Sequence, residues 1–227
     1  MITIGHRGAC GYEMENTIAS FQKAIELGVD YVEFDVQRTR DDAIVVFHDQ
    51  KVSNKGLVVD MTLGSLRREM SKARVSVPTF DEVVEFIGGR IGMNIEIKSR
   101  MPCDCLAEKI RRHRCDPDQV IVSSFMHDCL LEMHEADPGI KTGILLKERT
   151  ADVSELLRAF SSHTIIQKYA CVDQDFVDAV HGAGAQVFVW TVNEPKDIKR
   201  MLGLGVDGII SDFPDRVRKG LGGRGGS

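Results

Sequence analysis

The chain has 227 residues, of which 43% are hydrophobic and 28% are charged, so it can bury a core and is not disordered throughout. Its 34 acidic residues outnumber its 29 basic residues, and the net charge of −5 argues against nucleic acid binding through a broad basic face. No apolar run approaches the roughly 18–20 residues that span a bilayer. With no signal peptide before the first strand-like segment, we expect a cytoplasmic protein whose six cysteines are reduced thiols.

Short β-branched runs alternate with segments of helical spacing along the chain. The predicted strands are Ile2–Gly5, Tyr31–Val36, Met93–Ile97, Gln119–Ser123, Lys141–Leu146, Thr164–Gln167, Gln186–Thr191 and Asp207–Ser211. Some predicted helices begin at a capping signal, such as the capping box Thr79–Glu82 or Asn193 before Pro195. Apolar stripes and position indicate the others, which are expected near Ile18–Ile25, Cys105–His113, Met126–Glu135, Val153–Phe160, Phe176–Val180 and Pro214–Lys219. Eight strand–helix units in a chain of this length predict an α/β fold, a (β/α)8 TIM barrel.

One further strand, Ala43–His48, breaks the alternation, because the gap before it is too short for a crossover helix. We predict an antiparallel β-hairpin extension after the second strand. With Asp41 and Asp42 as the two turn residues, paired positions sum to 83, and Asp35 lies opposite His48.

Residues 50–77 have no clear place in this alternation and are predicted to form a small insertion at the barrel rim. Residues 1–218 then make a single TIM-barrel domain, and residues 219–227 make a Gly-rich flexible tail.

Acidic residues on two neighbouring predicted strands can gather at one place in the barrel mouth. Glu33 and Asp35 are two residues apart, so both carboxylates lie on one face of their strand, with apolar neighbours on the other face. Carboxylates directed together into a barrel mouth repel one another unless a cation lies between them. Glu96, on the next barrel strand, completes a predicted triad for a divalent metal ion, Mg²⁺ or Ca²⁺.

Histidine and basic side chains are predicted at the same end of the barrel. His6 and Arg7 follow the first strand, His48 ends the hairpin, and Lys98 follows Glu96 by two residues. Two histidines beside a metal-bound anion suit general acid and base catalysis, while Arg7 and Lys98 suit phosphate. A structural alternative for Lys98 is a buried ion pair with Glu96.

Glu15 and Trp190 complete the candidate substrate-binding residues. Glu15 precedes a predicted N-cap at Asn16 or Thr17 and can reach the rim. Trp190, the only tryptophan, ends a strand and is interpreted as an aromatic wall of the pocket, with a core position as the alternative.

Nine stretches of the chain, in order, resemble the glycerophosphodiester phosphodiesterase family of the phosphatidylinositol-specific phospholipase C-like TIM barrels. They are His6-Arg7-Gly8, Glu15-Asn16-Thr17, Glu33-Phe34-Asp35-Val36, Val46-Phe47-His48-Asp49, Val77-Pro78-Thr79-Phe80, Asn94-Ile95-Glu96-Ile97-Lys98, Ser124-Phe125, Trp190-Thr191-Val192-Asn193 and Val206–Pro214. The resemblance extends from residue 1 to about residue 218. Asp42 departs from it, since the hairpin turn of the family usually has Gly there.

The resemblance implies a metal-dependent hydrolase that converts glycerophosphodiesters to sn-glycerol 3-phosphate and an alcohol. It implies that His6 and His48 are the acid and base, that Glu33, Asp35 and Glu96 hold the metal, and that Arg7 and Lys98 contact phosphate. The partner is then a small-molecule phosphodiester, with the oligomeric state left open. Three alternatives remain: a lysophospholipase D-like phosphodiesterase acting on lysophospholipids, a non-catalytic phosphoester-binding barrel, and a metal-assisted aldolase or isomerase.

Overall fold

The computed structural model describes residues 1–52, 55–150 and 152–222. Its strands are β1 (Ile2–Gly5), β2 (Tyr31–Arg38), β3 (Ile44–Val46), β4 (Gly92–Ile97), β5 (Val120–Ser124), β6 (Lys141–Leu146), β7 (Thr164–Lys168), β8 (Gln186–Trp190) and β9 (Gly208–Ser211). Its α-helices are α1 (Ile18–Glu26), α2 (Leu63–Lys72), α3 (Phe80–Ile87), α4 (Cys103–Arg112), α5 (Asp128–Ala136), α6 (Val153–Ala159), α7 (Gln174–Gly182), α8 (Pro195–Leu204) and α9 (Pro214–Gly222). Short 3-10 helices occupy Val58–Asp60, Pro117–Gln119 and Tyr169–Cys171.

Eight of the strands form a closed parallel barrel. The pairing order runs β1, β9, β8, β7, β6, β5, β4, β2, and a parallel pair between β1 and β2 closes the ring. This arrangement confirms the predicted (β/α)8 TIM barrel. In such barrels the side chains at the C-terminal ends of the strands meet at one mouth.

Apolar side chains on both faces of the strands hold the barrel together. Inward-facing residues fill its centre, namely Ile4, Ile121, Leu145, Ile166, Phe188 and Ile210. Outward-facing residues of β2, among them Phe34, pack against α1 and α3 through Phe21 and Phe80. The burial of both faces explains why these strands read as nearly continuous apolar runs.

The hairpin of β2 and β3 exists, but its predicted register is wrong by one residue. Val36 pairs with Val46 and Arg38 pairs with Ile44, so paired positions sum to 82, and His48 is not opposite Asp35. The turn contains three residues instead of two, because the third, Asp42, adopts a left-handed conformation with φ 65°. Three-residue hairpin loops characteristically end in such a residue.

The insertion has a small core of its own. The 3-10 helix and α2 pack on β3 through Val45, Val58 and Leu66. The side chain of Thr62 accepts a hydrogen bond from Ser65 N and so caps α2. At the other end of the chain, α9 continues to Gly222, and residues 223–227 of the predicted tail lie outside the described residues.

Two predicted helix caps have different outcomes. The capping box at Thr79 and Glu82 is confirmed at the start of α3. The prediction that Asn193 caps α8 is wrong, because the N-cap is Glu194 and makes no side-chain cap hydrogen bond. Asn193 instead hydrogen-bonds to Asp212, which lies beyond the end of β9.

None of the described helices is long and apolar enough to cross a membrane.

Gly8 is expected to be indispensable for the fold at the mouth of the barrel. It has φ +83°, and a Cβ there would lie 2.6 Å from the carbonyl carbon of Ser20 in α1. We expect Gly8→Ala to lower the free energy of unfolding by about 2 kcal/mol or more. Gly64→Ala is the matched control, because Gly64 is helical with open space around it, and alanine should leave stability unchanged or raise it by up to about 1 kcal/mol. Urea denaturation of both variants checks this prediction, and equal effects would contradict it.

Candidate active site

A cavity of about 220 Å³ opens at the C-terminal mouth of the barrel. One half is polar and the other is apolar and aromatic. The lining residues are His6, Arg7, Glu33, His48, Asn94, Glu96, Lys98, Phe125, Leu145, Lys147, Trp190 and Ile210. They come from seven of the eight barrel strands or the segments that follow them, and from the segment after the hairpin.

Strand pairing brings the three predicted metal ligands together. Parallel pairing of β2 with β4 sets Asp35 beside Glu96, and the period of two places Glu33 on the same face. The side chains are almost fully buried, with 3% of Glu33, 0% of Asp35 and 8% of Glu96 exposed. Carboxylate oxygens of the three residues lie within 4.8 Å of one another.

The crowding of these carboxylates makes ionisation of Glu33 and Glu96 unfavourable. Burial and the neighbouring Asp35 carboxylate raise the pKa of Glu33 to about 8. The same two causes raise the pKa of Glu96. Among the described residues, one buried oxygen of Glu33 has no hydrogen-bond partner, and one of Asp35 has only the ammonium of Lys98 nearby, at 3.3 Å. Buried carboxylates that repel one another and keep a free oxygen fit a hard divalent cation such as Mg²⁺ or Ca²⁺.

Arg7 lies in a left-handed turn directly after β1, with φ 49°. Its backbone N–H donates to Glu33 at 2.9 Å, and its guanidinium Nε lies 3.3 Å from Asp35. The guanidinium also donates to Glu15 at 2.7 Å. Glu15 therefore holds Arg7 from outside the cavity and is not one of the lining residues.

Lys98 bridges two of the triad carboxylates. Its Nζ lies 2.7 Å from Glu96 and 3.3 Å from Asp35, so the ion pair considered from the sequence is present. Burial disfavours the ammonium, but the two carboxylates outweigh burial and raise the pKa of Lys98. Lys98 therefore remains a cation, which suits phosphate and does not suit the neutral amine that a Schiff-base aldolase requires.

His6 is held by a carboxylate that the sequence reasoning missed. Its Nδ1 lies 2.6 Å from Asp212, and its Nε2 is turned towards Glu33 at 4.0 Å. Burial disfavours the imidazolium, but the hydrogen bond to Asp212 and the carboxylate of Glu33 outweigh it and raise the pKa of His6.

Asp212 is fixed in turn by two neighbours. The Nδ2 of Asn193 donates to it at 2.6 Å, and the thiol of Cys10 donates to it at 3.0 Å. Burial disfavours its ionised form, but these hydrogen bonds and that of His6 hold the pKa of Asp212 at about 2. The carboxylate is thus ionised and can fix one tautomer of His6.

His48 reaches the same cavity from the hairpin side, although the register differs from the prediction. It lies two residues beyond β3, and its Nδ1 contacts Asp49 at 2.8 Å. His6 and His48 therefore line one cavity from two different elements.

An aromatic wall forms the apolar half of the cavity. Trp190 packs edge-on against Phe125 with a centroid distance of 5.5 Å, and its Nε1 donates to the carbonyl of Ile166 at 3.1 Å. The structure thus places Trp190 on the wall, as interpreted from the sequence.

Asn16 contacts the triad. It was one of two candidates for the N-cap of α1, but its side chain donates to Asp35 at 2.8 Å, and Thr17 caps α1.

A second cavity, of about 230 Å³, lies between the hairpin and α4. Its basic side chains are paired with carboxylates: Arg38 with Asp42, and both Lys109 and Arg112 with Asp81. Neither histidine of the barrel mouth lines it. The cavity at the mouth is therefore the candidate active site.

Comparison with known proteins agrees with this geometry. Residues 6–216 match the model of the glycerophosphoryl diester phosphodiesterase family. The chain is 33% identical to a glycerophosphodiester phosphodiesterase of Caldanaerobacter subterraneus subsp. tengcongensis, over 96% of this chain and 98% of that protein. It is 36% identical to a glycerophosphodiester phosphodiesterase of Bacillus altitudinis, over 94% and 95%.

A solved structure is similar over nearly the whole fold. An Oleispira antarctica phosphodiesterase, in complex with the product sn-glycerol-3-phosphate, superposes with a TM-score of 0.87 and 25% identity, covering 96% of each chain. The extent of the family match and the identity to the relatives together show that this chain belongs to the glycerophosphoryl diester phosphodiesterase family.

Proposed function

We propose that this protein hydrolyses glycerophosphodiesters to sn-glycerol 3-phosphate and an alcohol, with a divalent metal ion and with His6 and His48 as general acid and base. The observation that carries the proposal is the convergence, in one cavity, of a buried carboxylate triad, two histidines and two cations. Family membership supports the same reaction.

The triad and the cations have complementary tasks. A divalent ion held by Glu33, Asp35 and Glu96 would polarise the phosphoryl group and offset its charge. Arg7 and Lys98 bind the phosphate oxygens and stabilise the charge that develops on them as the bond to the leaving group breaks. The buried side chains hold these groups in place before substrate arrives.

The two histidines move the protons. One accepts a proton from the attacking hydroxyl as its oxygen bonds to phosphorus, and the other gives a proton to the leaving oxygen as its bond to phosphorus breaks. Two routes use these groups: attack by water, or attack by the neighbouring glycerol hydroxyl followed by hydrolysis of a cyclic phosphate. Phosphorus-31 NMR during turnover distinguishes them, because the second route forms a cyclic phosphate signal.

A direct assay tests the proposal. Purified protein is incubated with glycerophosphoglycerol and with glycerophosphocholine, with Mg²⁺, Ca²⁺ or EDTA, and released glycerol 3-phosphate is measured. We expect release that depends on the metal. No release from either diester with either metal would overturn the proposal.

Asp212 is expected to act as a positioning residue for His6. Asp212→Asn should lower kcat by at least about tenfold with little change in KM, because the amide cannot both accept from His6 Nδ1 and keep its hydrogen bonds to Cys10 and Asn193. Cys10→Ser keeps a donor towards Asp212 and should retain activity. A rise in KM at unchanged kcat for Asp212→Asn would contradict a role in positioning His6.

A second candidate function is lysophospholipase D-like cleavage of lysophospholipids. The specific observation in its favour is that Leu57 and Val59, in the rim insertion, are exposed apolar side chains, which could contact an acyl chain. Release of choline from lysophosphatidylcholine tests it. Replacing both residues by Ser should reduce that activity while sparing glycerophosphodiester cleavage.

A further inference from the structure

The cavity contains one cation that no carboxylate of the described chain neutralises. Of its three Lys and Arg residues, Arg7 is paired with Glu15 and Asp35, and Lys98 with Glu96 and Asp35. Lys147 lines the same cavity, and none of the ion pairs among the described residues includes it. Lys147 is therefore available to a ligand.

Lys147 is positioned by the aromatic wall. It follows β6 directly, and its Nζ lies over the ring of Phe125, 5.1 Å from the ring centroid. Phe125 is braced by Trp190, which is itself hydrogen-bonded to the barrel backbone. The ammonium thus lies on the aromatic wall of the cavity.

Burial separates the cavity into an inner and an outer part. Leu145 and Ile210, at the base of the apolar half, are 5% and 2% exposed, whereas Lys147 is exposed. In a glycerophosphodiester the glycerol is the constant group and the alcohol varies. The enclosed inner part suits the small glycerol, and the alcohol, which can extend to solvent, then lies at the mouth beside Lys147.

We propose that Lys147 makes this site selective for glycerophosphodiesters with a neutral polyol or anionic head group over those with a quaternary ammonium. This inference rests on the proposed function and adds the substrate class to it. A quaternary ammonium is usually recognised by the open faces of aromatic rings. Here Lys147 already lies over the ring of Phe125, and its charge repels a second cation. Polyol hydroxyls, in contrast, can accept hydrogen bonds from the ammonium.

The test compares kcat/KM for glycerophosphoglycerol and glycerophosphocholine. We expect the wild-type protein to favour glycerophosphoglycerol by about tenfold at low salt and by less at high salt, because salt screens exposed charges. Lys147→Met should bring the ratio close to one, and Lys147→Glu should reverse it. The matched control is Lys141→Met, at the opposite end of β6, where Lys141 pairs with Asp118; it should leave the ratio unchanged.

The outcomes separate this inference from the proposed function. If both diesters are cleaved but Lys147→Glu leaves their ratio unchanged, Lys147 does not select the head group. An equal loss on both substrates places Lys147 against the glycerol or the phosphate and also overturns the inference. If the wild-type protein cleaves neither diester with metal present, the proposed function itself fails and the inference fails with it.

Discussion

Replacing either histidine of the cavity with alanine is expected to lower kcat on glycerophosphodiesters by about 10²- to 10⁴-fold, the contribution of a general acid or base. His6 and His48 are the two histidines that line the cavity, and His6 is also fixed by Asp212. The measurement is release of glycerol 3-phosphate by His6→Ala and His48→Ala. Both variants should retain thermal stabilisation by the metal, because the carboxylate triad is unchanged.

The nature of the leaving group then assigns the two roles. A p-nitrophenyl phosphodiester expels a weakly basic oxygen that needs no proton donor, so the variant that lacks the general acid should recover much of its rate on this substrate. The variant that lacks the general base should stay impaired, because the nucleophile still has to lose its proton whichever group leaves. We therefore expect only one of the two alanine variants to be rescued.

A control at the other end of the barrel isolates the effect of position. His163 is exposed and precedes β7, away from the mouth, so His163→Ala should keep full activity on both substrates. Wild-type rates in His6→Ala or His48→Ala would contradict acid–base catalysis by that residue. Rescue of both variants would contradict the assignment of separate acid and base roles.

The sequence predicts the barrel and the carboxylate triad well, because both depend on short-range periodicity. Apolar runs separated by helical segments define parallel strands, and the spacing of Glu33 and Asp35 fixes a common face. Glu96 joins them because parallel strands in a barrel align their C-terminal ends. None of these steps depends on the detailed geometry of a loop.

The hairpin register could not be predicted from side-chain periodicity. It depends on whether the turn has two residues, with Asp42 second, or three, with Asp42 third in a left-handed conformation. The sequence gives little sign that a non-glycine residue adopts a φ of 65°. A slip of one residue changes every pairing partner. His48 nevertheless reaches the cavity because it lies beyond β3, where the ladder no longer dictates side-chain direction.

Asp212 was missed for a different reason. It is 206 residues from His6 in the chain, and the contact exists because parallel pairing of β1 with β9 brings the ends of the domain together. The available signal was its position, since it follows β9 as His6 follows β1. Asn193 was likewise interpreted as a helix cap, although its amide is used to fix Asp212. The local sequence pattern around Asn193 favours a helix cap, whereas its contact with Asp212 can be recognised only in the closed barrel.

Glu33→Gln is expected to stabilise the metal-free protein while abolishing its response to metal. Relative to the ordinary value of 4.5, the pKa of Glu33 is raised to about 8 by burial and by Asp35. A proton is then bound more tightly by the folded state than by the unfolded state, so stability falls as the pH rises from about 4.5 to 8. With EDTA at pH 7, a neutral Gln should be more stable than wild type by roughly 3 kcal/mol. The difference should shrink to about 1 kcal/mol at pH 5, where Glu33 is protonated in the folded state and only about one quarter protonated in the unfolded state.

Metal addition should reverse the order of the two proteins. Wild type at a metal concentration of about 100 Kd should gain about 2.7 kcal/mol, whereas Glu33→Gln, which lacks one charged ligand, should gain much less. Glu135→Gln, an exposed substitution in α5, is the matched control and should follow wild type in both conditions. Urea denaturation with EDTA and with Mg²⁺, at pH 5 and pH 7, measures the stability of all three proteins.

Two outcomes would contradict this prediction. If Glu33→Gln is less stable than wild type in EDTA, the hydrogen bonds of Glu33 outweigh repulsion among the carboxylates, and a cation is not needed to relieve that repulsion. If it is stabilised in EDTA but gains as much from Mg²⁺ as wild type, Glu33 is not a ligand. The combination of greater stability without metal and a lost response to metal is the result that a buried site shaped around a cation requires.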